Sequence, residues 1–144
     1  MIRSLSIGEV EYVAHTLAKE WMDWDEPIPR FSTRFPHKLE SCLATPFQTF
    51  GKTELYKGLI GKAAALFYFL IKNHPFQNGN KRIAVTCLLF FLYKNDNWLK
   101  IGNQELYNFA VWVAESPAAV KDQTIQAAEF LINKHLVPSR SDVE

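Results

Sequence analysis

The chain contains 144 residues, of which 48% are apolar and 22% are charged. It therefore has enough apolar side chain for one core and is not expected to be disordered. Its formal net charge of +1 at pH 7 argues against direct nucleic-acid binding. Two cysteines in apolar stretches, a polar start and no apolar run that could span a bilayer predict a cytoplasmic protein with reduced thiols.

Apolar residues recur about every 3.6 residues, the period of helices, so the sequence predicts an all-α fold. A single domain is expected over residues 1–137, with a polar tail over residues 138–144. Ser6 begins the first helix with a capping box, and Pro36 suits the first turn of the second. In chain order, the predicted helices lie at about residues 7–23, 36–45, 54–73, 81–93, 103–115 and 117–135.

Residues 45–53 lack the helical period, which predicts a loop or a short two-stranded flap. Two phenylalanines, Phe47 and Phe50, lie there among polar residues. They fit either a core contact or a position on the flap, and the pattern does not decide between the two.

Charge is unevenly distributed along the chain. Residues 55–95 contain six lysines and arginines and no acidic residue. A local positive field in a nearly neutral protein favours a small anionic ligand over a long polyanion. Three of these cations, Lys57, Lys62 and Lys94, are expected only to solvate the outer faces of helices.

The polar turn between the third and fourth helices has the features of an anion site. Pro75 disfavours helical geometry at His74 and ends the third helix there. Residues 78–80, Asn-Gly-Asn, can take positive φ angles that turn backbone N–H groups one way. The next helix then presents its free N–H groups and positive dipole end. Lys81 and Arg82 add cations, and His74 can accept a proton near neutral pH.

An ordinary turn between helices explains the same residues, with Phe76 filling the core. The remaining histidines have no metal-binding spacing and are expected to be structural; they are His15, His37 and His135. Because no P-loop or Rossmann glycine pattern occurs, any phosphate site must lie in this turn.

Residues 74–82 read His-Pro-Phe-Gln-Asn-Gly-Asn-Lys-Arg. They resemble the Fic/Doc (Fido) signature, His-Pro-Phe-x-Asp/Glu-Gly-Asn-Gly/Lys-Arg, at eight of nine positions. Residues 34–41 and 63–66 are also similar to that family, and the resemblance covers about residues 4–136. It implies a compact Fido-type helical bundle that transfers a phosphate-containing group from ATP, with Mg²⁺, to a protein hydroxyl.

The resemblance also implies roles for individual residues. His74 would be the general base that deprotonates the target hydroxyl, and Phe76 would anchor the loop in the core. Arg82 would also stabilise charge that develops on the transferred group. The nucleotide phosphates would be bound by Gly79, Asn80, Lys81 and Arg82. The flap that pairs with the protein target would include Phe47, Gln48 and Thr49.

Two positions resemble the Doc branch, the death-on-curing toxins. Lys81 replaces the glycine of AMP-transferring members, and Val85 replaces a second arginine of those members. The Doc resemblance implies transfer of the γ-phosphoryl group to a threonine of elongation factor Tu. It also implies a toxin–antitoxin module in which a separate antitoxin chain covers the active groove. The alternatives are a Fic-type adenylyltransferase and a catalytically silent nucleotide- or partner-binding protein.

Asn78 departs from the family signature, which has an acidic Mg²⁺ ligand at this position. An amide oxygen is a neutral and weaker ligand than a carboxylate, so a weakened metal site is expected while phosphate binding remains. The open explanations are a weakened enzyme, a silent binding protein, a substitution that tames a toxin for production, and deamidation of Asn78 that restores the acid.

Overall fold

The computed structural model describes residues 1–18 and 27–139. In that part of the chain the α-helices are α1 (Ile7–Tyr12), α2 (Pro36–Ala44), α3 (Gly58–Lys72), α4 (Asn80–Lys94), α5 (Asn103–Glu115) and α6 (Lys121–His135). A π-helix, Val13–Leu17, continues α1. The short strands are β1 (Thr49–Phe50), β2 (Thr53–Glu54), β3 (Asn97–Leu99) and β4 (Leu136–Pro138). The predicted all-α fold is confirmed, and the predicted end of the first helix near Asp23 lies outside the described residues.

Helices α3 and α4 form the centre of the bundle. Their side chains are buried around most of the circumference, as the dense apolar runs in both segments predict. Three consecutive alanines, Ala63, Ala64 and Ala65, are fully buried in α3. Small side chains let neighbouring elements approach closely. The loop that joins the two helices is therefore held at both ends by the most buried elements of the fold.

After α2, a short 3₁₀ helix (Thr45–Phe47) leads into a two-stranded hairpin, so the first residues of the predicted flap are helical. Thr49 pairs with Glu54 and Phe50 pairs with Thr53 in an antiparallel register. Gly51 takes a φ of 66° in the turn. The third helix consequently begins at Gly58, four residues later than predicted, because Glu54 belongs to β2. Phe50 is 80% exposed, which is incompatible with a core contact at that position.

A second small sheet was not predicted. Strands β3 and β4 pair antiparallel, with Trp98 opposite Val137 and Asn97 opposite Pro138. Asp96 precedes this sheet in a left-handed conformation, with a φ of 67°. Pro138, expected at the start of the tail, thus belongs to a strand, while the domain boundary itself stays a prediction. Such pairing joins distant segments and leaves no periodic signal in three-residue strands.

The structure can be compared with the predictions of reduced cysteines and of no membrane-spanning segment. Cys42 and Cys87 are buried free thiols, as predicted. Burial raises the pKa of Cys42 to about 11, so this thiol stays protonated at neutral pH. Within residues 1–18 and 27–139, none of the helices has the length and apolar character needed to cross a membrane.

Lys62 was expected to solvate an outer helix face, and this prediction is wrong because its side chain is only 5% exposed. Its Nζ donates to the Tyr56 carbonyl oxygen at 2.8 Å and lies 3.2 Å from Glu54 Oε1. The ammonium also lies 5.8 Å from the centre of the Phe47 ring. Lys62 therefore ties the hairpin to the first turns of α3. Lys57, by contrast, is exposed as predicted.

Replacing Lys62 with methionine is expected to loosen the hairpin. The substitution keeps the apolar stem and removes the ammonium, and a hydrogen bond from a charged group contributes about 1.5–3 kcal/mol. The Leu55 amide, which donates to the Gln48 carbonyl oxygen at 3.1 Å, should then exchange with solvent at least about tenfold faster. Hydrogen exchange measured by NMR tests this, and Lys57→Met is the matched control.

The ion pair also makes the hairpin sensitive to acid. The hydrogen bond from Lys62 holds the pKa of Glu54 below its ordinary value. A depressed carboxyl pKa stabilises the folded state above the ordinary pKa, and this contribution is lost as the pH falls through the lowered one. After correction for intrinsic exchange, lowering the pH should weaken the protection of the Leu55 amide against hydrogen exchange in the natural chain. In Glu54→Gln, which has no carboxyl group at this position, lowering the pH should cause no further loss of protection. Equal protection of the Leu55 amide in the natural chain, Lys62→Met, Lys57→Met and Glu54→Gln would show that Lys62 does not hold the hairpin to α3.

Candidate active site

The loop between α3 and α4 begins with a backbone reversal at His74. Helix α3 ends at Lys72, and His74 takes a φ of 49°, in the left-handed region. Histidine adopts this region more often than most residues, and Pro75 excludes the right-handed helical alternative. The Pro75 carbonyl oxygen accepts a hydrogen bond of 2.8 Å from the Phe35 N–H. The imidazole thus stands exposed on a backbone that is fixed immediately after it.

Asn80 closes the loop on itself. Its Oδ1 accepts from the Phe76 N–H at 3.0 Å, and its Nδ2 donates to the Phe76 carbonyl oxygen at 2.9 Å. Phe76 is 2% exposed, and its ring centre lies 5.9 Å from that of Phe31. The expected anchor is therefore buried in the core. The side-chain amide of Asn80 is used inside the loop, so its contribution to an anion site is to hold the backbone in shape.

Gly79 is required by both its conformation and its neighbours. Its φ is 72°, and a Cβ at this position would lie 2.9 Å from Ile28 Cδ1 and 3.1 Å from the Pro27 carbonyl oxygen. Both distances are too short for a side chain to fit without displacement of its neighbours. The chain at Pro27 and Ile28 therefore lies directly against the loop, a contact that sequence analysis missed. No helix was predicted between residues 23 and 36, and nothing in that part of the sequence indicates where it lies in the fold.

The amino end of α4 borders a small cavity. Gly79 caps the helix without a side-chain hydrogen bond, and the first N–H groups of a helix have no partner within it. A cavity of about 120 Å³ lies beside this end, lined by Ile71, His74, Gln77, Asn78, Asn80, Lys81 and Ala114. None of these described lining residues is acidic. The volume is well below the roughly 300–1,000 Å³ typical of whole-ligand pockets, so it suits the phosphate end of a nucleotide.

The structure brings together four of the predicted site residues at this cavity, namely His74, Asn78, Asn80 and Lys81. Arg82 is placed elsewhere. Its side chain is buried, and one terminal nitrogen donates to the Ala18 carbonyl oxygen at 2.9 Å. Residues two apart on a helix point roughly 200° apart, so Arg82 faces away from the side of α4 that Asn80 occupies. Arg82 connects α4 to Ala18, the residue that follows the π-helix, and is not among the residues that line the cavity.

Among the described lining residues, the donor set differs from that of a usual Mg²⁺ site. Asn78 offers an amide oxygen at the cavity, and no carboxylate lines it among the described residues. Mg²⁺ is usually held by one or two carboxylates together with the substrate phosphates. The expectation of a weakened metal site rests on this chemistry. The groups at the cavity that are suited to bind an anion are therefore the Lys81 ammonium and the N–H groups at the start of α4.

Phe47, one of the residues predicted to bind a target, lies in the 3₁₀ helix before the hairpin and packs toward the far end of α4. Phe47 is half-buried, and its ring centre is 6.3 Å from that of Phe91, near the carboxyl end of α4. The base of the hairpin also contacts Lys62, twelve residues before His74, which corresponds to roughly 18 Å along a helix. Gln48 and Thr49 are exposed. The structure therefore does not bring the base of the hairpin and the loop together.

Replacing Asn80 with alanine is expected to destabilise the loop. The buried N–H and carbonyl groups of Phe76 would lose their partners, and each unsatisfied group costs about 1–3 kcal/mol. We expect the free energy of unfolding to fall by about 2–4 kcal/mol, measured by denaturant titration. Asn73→Ala is the control, because Asn73 is exposed and its side chain makes, among the described residues, one weak hydrogen bond of 3.9 Å to Cys42 Sγ. Equal stability of the two variants would show that Asn80 does not hold the loop.

The family model of the Fic/DOC family matches residues 5–92. This range covers more than half of the chain and includes the whole loop and α4 up to Leu92. The chain belongs to the Fic/DOC family. No match was found among curated proteins or among solved structures.

Proposed function

We propose that this protein transfers the γ-phosphoryl group of ATP to a hydroxyl group of a protein target. Membership of the Fic/DOC family supports a Fic-type transferase in general. The observation that carries the proposal is the shared cavity, where an exposed histidine and a cation stand beside the amino end of a buried helix. A base next to preorganised donors serves phosphoryl transfer through positioning and electrostatics.

The proposed step uses the chain's own groups. The phosphates of ATP accept hydrogen bonds from N–H groups at the start of α4 and lie near the Lys81 ammonium. The His74 imidazole takes the proton of the target hydroxyl as its oxygen attacks the γ-phosphorus. The bond between the γ-phosphorus and the bridging oxygen breaks, and ADP leaves with the electron pair. His74 then releases its proton to solvent.

Lys81 and Val85 support the Doc branch of the proposal. The Lys81 side chain lines the cavity, where it adds charge next to the phosphates, and Val85 is fully buried. We accordingly propose a cytoplasmic toxin that modifies a threonine of elongation factor Tu and is neutralised by a separate antitoxin chain. Recovery of the protein from its host without an associated small protein would count against the antitoxin.

Two observations favour a second candidate, a catalytically silent nucleotide-binding protein. No carboxylate lines the cavity among the described residues, and Arg82 is engaged with the Ala18 carbonyl oxygen. Such a protein binds ATP without transfer. AMP transfer remains the third possibility within the family, and the position of the label on ATP distinguishes it.

The test is a transfer assay with ATP labelled at either the α- or the γ-phosphate, on purified elongation factor Tu and on cell lysate. The chain and its Asn78→Asp variant are assayed side by side. Label from the γ-position on the target supports the kinase. Label from the α-position assigns the protein to AMP transfer. ATP binding without transfer by either protein supports the silent candidate and overturns the proposed reaction.

A further inference from the structure

Lys72 joins the carboxyl ends of two helices beside the cavity. It lies in the last turn of α3, and its Nζ donates to the carbonyl oxygens of Ala114 at 3.2 Å and Ser116 at 2.5 Å. Helix α5 ends at Glu115, with Ser116 as its cap. The last carbonyl groups of a helix have no partner within it, and a lysine is well suited to satisfy them.

The two ends that Lys72 joins are also walls of the cavity. Ala114 of α5 and Ile71 of α3 both line it, and His74 follows Lys72 by two residues. The hydrogen bonds of Lys72 therefore fix the position of one wall relative to the imidazole. This connects α5, which carries no residue of the family signature, to the geometry of the site.

The positive charge of Lys72 also affects the electrostatic potential at the carboxyl end of α5. The carboxyl end of a helix carries a partial negative charge, equivalent to about half an elementary charge. Ala114 places this end of α5 beside a cavity that is proposed to hold phosphate groups, which its partial negative charge would repel. The Lys72 ammonium lies on those carbonyl oxygens and offsets their charge.

We propose that Lys72 is a positioning residue for the anionic ligand: it holds the carboxyl end of α5 against α3 and offsets its negative charge. The inference rests on the proposed function, because it takes the ligand of this cavity to be the phosphate chain of a nucleotide. Lys72 itself is not placed in contact with the ligand. Its effect is exerted through Ala114 and the carbonyl groups at the end of α5.

The test compares binding of ATP and of adenosine to Lys72→Met, Lys72→Arg and Lys57→Met by calorimetric titration. Lys72→Met retains the apolar stem and removes the charge, so its affinity for ATP should fall about 3- to 10-fold, as the loss of a charge at a helix end predicts. Its affinity for adenosine should change less than about twofold, because adenosine carries no charge. Lys72→Arg should retain most of the affinity for ATP. Lys57→Met controls for loss of an exposed lysine at the other end of α3.

The outcomes separate this inference from the proposed function. A parallel loss of ATP and adenosine affinity would show a merely structural role and overturn the inference. Unchanged ATP affinity in Lys72→Met would also overturn it, while transfer by the natural chain would leave the proposed function standing. If the natural chain binds ATP but transfers nothing, the proposed reaction fails and the comparison of affinities still decides the role of Lys72. A natural chain that binds no ATP would overturn both.

Discussion

Replacing His74 with asparagine is expected to lower the rate of transfer by about 10²- to 10⁴-fold, the usual contribution of a general base. Asparagine is the suitable replacement because it tolerates the left-handed conformation that His74 adopts, with its φ of 49°. The His74 side chain is exposed, so its loss should leave folding and ATP binding intact. Initial rates with labelled ATP, the dissociation constant of ATP and the melting temperature measure these three effects separately.

The control for this prediction is His37→Asn. His37 is a fully exposed histidine on α2 whose neighbour Glu40 lies 3.7 Å away, so its replacement should not affect transfer. Where the natural chain is too slow to assay, both variants are compared in the Asn78→Asp background. If the His74→Asn variant transfers phosphate as fast as the protein with His74 in the same background, His74 is not the general base.

Replacing Asn78 with aspartate is expected to change ATP binding in opposite directions with and without Mg²⁺. The new carboxylate would stand at a cavity that is lined by Lys81 and proposed to receive phosphate groups. Without metal it repels those groups and weakens binding. With Mg²⁺ it supplies a hard anionic ligand at residue 78 in place of a neutral amide, so binding and transfer should both increase, at least about tenfold. Calorimetric titrations of ATP with and without Mg²⁺ measure the reversal.

Gln77→Glu is the matched control, because Gln77 lines the same cavity one position earlier and gains the same charge. A general effect of negative charge would weaken ATP binding in both variants, whether or not Mg²⁺ is present. Only a specific metal ligand at residue 78 produces the reversal. If Mg²⁺ has no effect on Asn78→Asp, the substitution of the family's acid does not explain a weak metal site.

The helices and the loop could be predicted because their determinants are local. Apolar periodicity defines α3 and α4, and Pro75 and Gly79 mark the loop by their backbone requirements. His74, Asn78, Asn80 and Lys81 are close in the chain, so their common cavity follows from the loop itself. The two-stranded flap was one of two alternatives, and the structure shows the hairpin.

Features that depend on contacts between distant segments could not be predicted. The burial of Lys62 follows from the hairpin folding onto α3, and the pairing of Trp98 with Val137 joins the ends of two helices. The direction of Arg82 depends on the carbonyl oxygen of Ala18, which lies 64 residues earlier in the chain. The contact of Ile28 with the loop likewise requires the fold to be known.

The most direct test of the central claim is a titration of the ¹⁵N-labelled protein with ATP and Mg²⁺, followed by two-dimensional amide NMR. Binding of the phosphates at the start of α4 predicts shifts concentrated at residues 74–83, with the largest at Gly79, Asn80 and Lys81. It also predicts a smaller chemical-shift change at Ala114, on the opposite wall of the cavity. Shifts confined to another surface, or no shifts at saturating ATP, would contradict the assignment of this loop as the nucleotide site.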